Sequence, residues 1–396
     1  MGCLLFYAGQ QDNSTVSIAS RTMGGGITER DFHAVGGGES AHVAPHPENP
    51  NIVYAGSYSG FLTRYDHTTG ERRNITVYPD NPMGHGVKDM KFRFQWNFPI
   101  EFDPFDSDVL YVGSQHLHRS TDEGVSWEVI SPDLSTNTVS MQDESGGPIT
   151  KDDTGVEYYC TVFVIKPSTH EKGVIWFGTD DGRVHITKNG GKTWKNISAD
   201  LPQDLWVSNV YASNHDEKVI YASLDGYRWD NFSPYLFKSK NYGKTWESIS
   251  SNLPDSPINV VIEDNLNKNI LYVGNDHGVY ISLDQGKTWE PFSKGLTSAA
   301  VHDLVIQTKE KHLLVGTHGR SIYLADIKKI QDLSDEILQS SLYIYPLKNV
   351  KKSNSWGVQR SIWSQAYTPK LDITLFSSLS TDYNISINDS NGNNTP

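Results

Sequence analysis

The sequence predicts an all-β protein, a β-propeller of about six to seven four-stranded blades, and three observations predict it. The string Ser/Thr-x-Asp/Asn-x-Gly-x-x-Trp is written four times, at 120–127, 187–194, 239–246 and 282–289, so a unit of about 40 to 50 residues recurs. Upstream of each copy stands a short β-branched and aromatic phrase bounded by turn residues, at 108–113, 174–178, 219–222 and 269–274, and two more stand at 51–56 and 312–316. Before most of these phrases comes an acidic or proline-bearing turn, as at 46–50 and 103–106, and before that another apolar strand such as 162–165. Each unit therefore reads strand, turn, strand, loop, strand, Asp-bearing turn, strand, which is a propeller blade.

The repeated string has the chemistry of a tight hairpin. Asp122, Asn189, Asn241 and Asp284 can fold a side-chain oxygen onto nearby backbone N–H groups, and Gly124, Gly191, Gly243 and Gly286 supply positive φ. Trp127, Trp194, Trp246 and Trp289 begin the outgoing strand and offer a large ring to the neighbouring unit. A catalytic or metal-binding role for the acids and amides is the competing reading. Recurrence in every unit favours a turn lock, because a catalytic group is needed once.

In chain order, residues 4–13 look like the middle of a blade whose first strand is missing, so the chain begins inside a repeat. Residues 42–78 make a blade whose turn has degenerated to Tyr65-Asp66-His67-Thr68-Thr69-Gly70. Four blades end in the tryptophan string, and 301–327 form another without one. The propeller spans 1–327. Residues 328–340 then carry a short helical pattern (Ile330, Leu333, Ile337, Leu338) within a helical and irregular linker, 328–370, where Trp356, Trp363 and Tyr367 can dock. Residues 371–376 and 383–387 alternate like two strands, the truncated opening hairpin of a β-sandwich-like module over 371–396. Either strands from the two ends complete one blade, or the chain is a piece of a longer protein.

Charge and composition bound the partners. Lys and Arg number 34 against 47 Asp and Glu, a net charge of −13 without a basic stripe, so nucleic acid and anionic membrane surfaces are poor partners. No stretch approaches the ~18 apolar residues of a membrane span. Cys3 and Cys160 are too few for a disulfide framework or a metal pair, residues 1–9 lack a basic n-region and cleavage site, and Phe6 occupies the position where myristoylation wants Ser or Thr. Sequons at Asn13, Asn74, Asn196, Asn231 and Asn384 are ordinary in an Asn- and Ser-rich chain. No cofactor and no metal site is implied, since no His-x-His or His-Glu-x-x-His spacing is present.

The four copies resemble the Asp-box, or bacterial neuraminidase repeat, of sialidases, xyloglucan-cleaving endoglucanases, photosystem assembly propellers and the sortilin luminal domain. Several further phrases are similar to a group of bacterial secreted proteins described as sortilin-like or neuraminidase-repeat "glycosyl hydrolase" proteins. These are 7–13, 37–42, 93–97, 146–150, 235–238 and 317–321. The resemblance covers residues 1 to about 345 and implies an extracytoplasmic location, secreted, periplasmic or at the cell surface, and a full-length protein with further propeller blades and a C-terminal β module. Sialidases bring three arginines and an Arg-Ile-Pro phrase, whereas the nearest string here is Asn97-Phe98-Pro99-Ile100, so a typical sialidase is not expected.

Asp-box topology puts the motif turns on one face of the disc, and the turns between second and third strands, with the blade-to-blade connections, on the other. That second face collects Tyr58-Ser59, Gln115-His116, Asp180-Asp181, residues 225–230, Asp276-His277 and His318-Gly319-Arg320, and the long insertion 136–159 should reach it. A hydrolytic carboxylate pair drawn from Asp180, Asp181, Asp276 and Glu157 would suffice for glycoside cleavage, although Asp beside Gly is also a turn former. Arg93, Trp96 and Asn97 make either a ligand platform or a plug between blades; His42, His116, His277, His318 and Arg320 are further ligand-binding candidates. Three functions fit this face: a propeller that binds a protein, peptide or glycan, which is preferred; a glycoside hydrolase; and a structural module of a larger secreted protein.

Overall fold

The structure is a computed structural model that describes residues 4–24, 26–39, 42–156, 158–347, 354, 356–359, 361–363, 365–366 and 370–386. Glu157 and Cys3 lie outside the described residues. Two compact units divide the chain, one of residues 1–309 and 313–325, the other of 310–312 and 326–396.

The first unit is a seven-bladed β-propeller, each blade an antiparallel sheet whose strands follow chain order. Blade 1 holds Leu5–Gln10, Ser14–Ala19 and Phe32–His33; blade 2 holds Val43–Pro45, Ile52–Gly56, Leu62–Asp66 and Arg72–Asn74. Blades 3 to 6 begin with the innermost strands Ile100–Asp103, Val162–Pro167, Trp206–Ala212 and Ile258–Glu263, and each closes on a two-residue outer strand that follows the motif tryptophan. Blade 7 holds Val301–Gln307, His312–Thr317 and Ile322–Asp326. Blades 1 and 7 are thus three-stranded among the described residues.

Second strands carry continuous apolar runs because each is covered on both sides by neighbouring blades. Ile175–Thr179 is buried at every residue, and the core is a set of layers between blades rather than one centre. Between blades 2 and 3, for example, Tyr54, Leu62 and Ile75 meet Phe98, Leu110 and Val112. The glycine that closes the second-strand phrase is explained by this packing. A Cβ on Gly113, Gly178 or Gly274 would stand 2.7, 2.4 or 2.6 Å from a Cγ1 of Val162, Val207 or Val301, the innermost strand of the next blade.

The motif is a turn lock at all four sites. The Ser120 hydroxyl donates to Asp122 (2.8 Å) and accepts from the Gly124 amide (2.8 Å), while Asp122 accepts from the Ser126 amide (2.9 Å) and hydroxyl (2.6 Å). Thr187/Asn189, Ser239/Asn241 and Ser282/Asp284 repeat the pattern. Positive φ falls on the glycine and also on the residue before it: Glu123, Gly190, Tyr242 and Gln285. Each tryptophan then donates its indole N–H to a carbonyl of the preceding blade, Ile75, Ile130, Ile197 or Ile249, at 2.7 to 3.0 Å. The same isoleucines press on the motif glycines. They belong to a phrase that went unread in the sequence, x-Ile-Ser/Thr at 74–76, 129–131, 196–198 and 248–250. Two of the sequons, Asn74 and Asn196, are this phrase, and each Asn side chain accepts the amide two residues on (2.9 Å).

In the second unit the helical pattern at 328–340 is split into Lys328–Gln331 and Asp335–Gln339. Ser334 breaks it: its backbone is extended and its hydroxyl caps the second helix at the Ile337 amide. The strand expected at 371–376 is Leu375–Ser377, and it pairs antiparallel with Leu342–Ile344 rather than with 383–387. Residues 383–386 form no strand; instead the Tyr383 hydroxyl contacts the Ser377 hydroxyl (2.5 Å), and residue 387 lies outside the described residues. No described helix is long and apolar enough to cross a membrane.

Candidate functional site

Strand register fixes which groups share a face of the propeller. In blade 5, Ile220 pairs with Ser239 at the motif end, whereas Gly226 pairs with Asn231 and Trp206 with Asp225 at the other. Blades 3, 4 and 6 repeat this polarity. The second-to-third-strand turns and the entries of the innermost strands therefore share the face opposite the motif turns.

On that face, blades 4 to 7 carry an arc of side chains. Phe163, on the innermost strand of blade 4, meets Trp206 edge-on at 5.0 Å. The Arg228 guanidinium lies 3.5 Å over Trp206 and 4.3 Å over Tyr227, and reaches the Asp225 carboxylate at 3.3 Å. In blade 6, Asp276 accepts from the Asn259 side-chain amide (3.0 Å), which also donates to the Val301 carbonyl that opens blade 7 (3.2 Å). His302 follows, its ring 5.2 Å from that of His318. Tyr227, Trp229 and Phe232 stand exposed along the blade 5 turn, at 42, 43 and 51%. Asp276, His302 and His318 are also exposed.

The charges in the arc feel one another. Burial pushes the Asp225 carboxyl up to about 6; Arg228 opposes this and Asp276 adds to it. Burial and His318 lower His302, while Asp276 acts the other way. Asp225 is itself 4% exposed and paired with Arg228, so the exposed carboxylate of the arc is Asp276.

Asp180 and Asp181, expected as hydrolytic acids, are buried at 0 and 1% exposure, and their oxygens are occupied by the protein itself. Asp180 accepts from the Thr161 amide (2.8 Å) and hydroxyl (2.7 Å) and from Gln95 (3.2 Å), and its carboxyl is pushed up to about 7 by burial and by Asp181. Asp181 accepts from the Thr136 amide (2.7 Å) and hydroxyl (2.8 Å) and from the Thr179 hydroxyl (2.5 Å). Together they close the blade 4 turn and anchor the start of the insertion. Of the expected acids, Asp276 joins the arc and Glu157 lies outside the described residues.

Arg93 is buried among the protein's own groups. It is 7% exposed, with Nη2 2.6 Å from Asp133 and 3.1 Å from the Ser135 hydroxyl, and Nε 3.2 Å from the Cys160 carbonyl. Trp96 is half-buried and Asn97 exposed on the same connection. His116 spends a ring nitrogen on the Ser131 carbonyl (3.1 Å), His42 accepts Gly56 through its own carbonyl, and His277 and Arg320 are exposed. Among the described residues no hydrogen bond, ion pair or ring contact ties His42, Arg93, Trp96, Asn97 or His116 to the arc. His302 and Trp206 went unnoticed in the sequence. The signal was positional, since each opens or nearly opens an innermost strand, where channel-facing side chains begin. No group of three or more metal-ligating side chains is found among the described residues.

Comparison with known proteins bears on the fold. The BNR/Asp-box repeat family matches residues 280–291. No curated protein matches. Among solved structures, the chain is similar to the GH74 xyloglucanase of Xanthomonas campestris, at 16% identity and a TM-score of 0.55, over 82% of this chain and 50% of that one. It is similar also to the GH74 enzyme of Niastella koreensis, at 16% identity and a TM-score of 0.52, over 81 and 50%. The chain therefore spans about half the length of these structures, and the likeness is one of fold.

Proposed function

We propose that the propeller is an extracytoplasmic binding module, secreted or at the cell surface, that takes a glycan chain on the arc of blades 4 to 7. The observation that carries this reading is the composition of the arc. Exposed flat rings at Tyr227, Trp229 and Phe232 flank a planar guanidinium, an exposed carboxylate, a side-chain amide and two imidazoles. Aromatic faces cover the C–H face of a pyranose while fixed donors and acceptors read its hydroxyls. A sortilin-like family membership, which would put a protein or peptide on the same face, fits the sequence phrases but offers no particular place for these exposed rings. The test is a glycan array followed by titration of the hits against Arg228→Ala and Trp229→Ala. The reading expects at least a tenfold loss of affinity in each, with folding intact. Hits that bind both variants undiminished would sink it.

A second reading, glycoside hydrolysis, is favoured by one feature: the arc carries two carboxyls that act on each other, exposed Asp276 and the buried, raised Asp225. A protonated acid could protonate the leaving oxygen while the ionised partner takes the proton of an attacking water. Release of reducing ends from a polysaccharide panel, abolished by Asp225→Asn or Asp276→Asn, would establish turnover; binding without release leaves the module a binder.

A further inference from the structure

Both ends of the long insertion are tied to one pair of buried carboxyls. Where the insertion leaves blade 3, the Thr136 amide (2.7 Å) and hydroxyl (2.8 Å) donate to Asp181. Where the chain returns to blade 4, the Thr161 amide (2.8 Å) and hydroxyl (2.7 Å) donate to Asp180. Gln95 joins the two ends by donating to Asp180 (3.2 Å) and to the Tyr158 carbonyl (3.1 Å). Between them, residues 136–156 form a strap over the connection 78–95 and the blade 2 turn. The Gly84 amide donates to the Asp153 carbonyl (2.9 Å), and a Cβ on Gly155 would stand 2.2 Å from Ser59 Oγ. Lys88 pairs with Asp143 at 2.5 Å, but both side chains are exposed, and such a pair contributes little.

The carboxyl pair has no compensating cation. Among the described residues no Lys or Arg pairs with either acid: Arg93 reaches the Cys160 carbonyl but puts its charge on Asp133, and Arg183 donates to Gln203. The titratable groups that face the pair are Tyr159 and Cys160 of the returning chain, with Asp204 beyond Tyr159. Burial and then Asp181 push the Cys160 thiol up to about 11, so the neighbours are neutral or acidic. Two adjacent carboxylates in a sealed site repel each other, and burial penalises each charge, so the site favours keeping one proton. Burial and then Asp181 push the Asp180 carboxyl up to about 7. The Thr161 hydroxyl can turn from donor to acceptor, which preserves its bond to the protonated acid.

We propose that Asp180 and Asp181 are a pH-sensitive latch, which holds the strap across blades 2 to 4 while the pair keeps one proton and loosens it as that proton leaves. Thr161 stands two residues before Phe163, where the arc begins, so the latch lies at the arc's edge and operates whatever the arc binds. Opening brings Asp180 into water, where its ordinary value is 3.8, so the closed strap binds the proton more tightly than the open one. Opening therefore becomes easier as pH rises from about 4 to about 7, and hardly easier above that.

The test is hydrogen exchange of the whole chain by mass spectrometry from pH 5.5 to 8.5, each rate divided by the intrinsic rate at that pH. In peptides 134–145 and 158–165, which hold the Thr136 and Thr161 amides, the corrected rate should rise about twentyfold from pH 5.5 to 7.5 and less than about twofold from 7.5 to 8.5. Both peptides should exchange faster than the blade 6 strand Leu271–Asn275 at every pH, because the strap opens without the propeller. Asp180→Asn should flatten the profile. Should that variant fail to fold, Asp181→Asn should move the bend of the profile to lower pH, and an unmoved bend overturns the latch. A flat profile in the wild type, a slope that survives Asp180→Asn, or latch peptides as protected as 271–275 overturns it equally.

Discussion

Alanine substitution at Gly190 and at the motif glycines Gly191 and Gly243 separates two costs, a left-handed backbone and a close approach between blades, that the structure puts at different sizes. At Gly190, φ is +66° and no atom lies within 4 Å of the new Cβ, so Gly190→Ala pays only for the left-handed backbone, about 1–2 kcal/mol. At Gly243, φ is +80° and the Cβ meets Ile197 Cδ1 at 2.2 Å, the far end of a side chain that can turn away. The backbone term is joined there by an overpacking term of about 1–3 kcal/mol, which Ile197→Ala should relieve. At Gly191, φ is +92° and the Cβ meets the Ile130 backbone carbonyl at 2.6 Å, the same oxygen that accepts the Trp194 indole, so no rotamer change helps. The expected order of destabilisation is Gly191 above Gly243 above Gly190. In a chain of this size each kcal/mol lowers the thermal midpoint by about 2 °C. Scanning calorimetry on the three variants reads the order directly, and Ile197→Ala with and without Gly243→Ala reads the relief, as a smaller Gly243 loss on the Ile197→Ala background. Equal losses at Gly190 and Gly191, or no relief from the Ile197 change, would refute the claim that these glycines serve close approach between blades.

Other consequences follow from burial and charge. Trp289 is 2% exposed whereas Trp127 is half-buried, so Trp289→Ala should cost about 3–5 kcal/mol and Trp127→Ala clearly less in denaturant titrations. Burial lowers His185 to about 4, with Arg183 also lowering it against a Leu134 backbone bond, so this neutral ring supports folding above the unfolded value near 6.5. That support is lost as pH falls from there through about 4, and His185→Phe should flatten the slope measured by chemical denaturation. Asp225 acts with the opposite sign. Its folded carboxyl titrates near 6, above the unfolded value of 3.8, so the folded state loses stability as pH rises through that interval. Asp225→Asn should be neutral or stabilising at pH 7, and a clear loss there would mean the Arg228 pair outweighs desolvation.

The propeller was legible because its signal is written many times over. The turn string needs Ser or Thr, Asp or Asn, and Gly at fixed offsets to satisfy one set of hydrogen bonds, and the second-strand phrase needs a terminal glycine wherever the next blade presses in. The x-Ile-Ser/Thr phrase was equally periodic but is short and begins only on the last residue of a two- or three-residue outer strand that no window of alternation reveals. The site was harder. Asp180-Asp181 and Asp276-His277 occupy equivalent turns and look alike in sequence, yet one pair is sealed under the insertion that Thr136 begins and the other faces solvent. Which of the two is covered depends on how a distant loop returns, and nothing local to either turn records it. Arg93 was open for the same reason: its partner Asp133 is 40 residues on.

The most direct test of the central claim, that ligand is read on the face opposite the motif turns, is the position of a bound oligosaccharide in a crystal structure of the complex. The account predicts sugar density against Trp229, Arg228 and Asp276, within reach of His302. Density on the motif-turn face, around Asn189, Asn241 or Asp284, would contradict it.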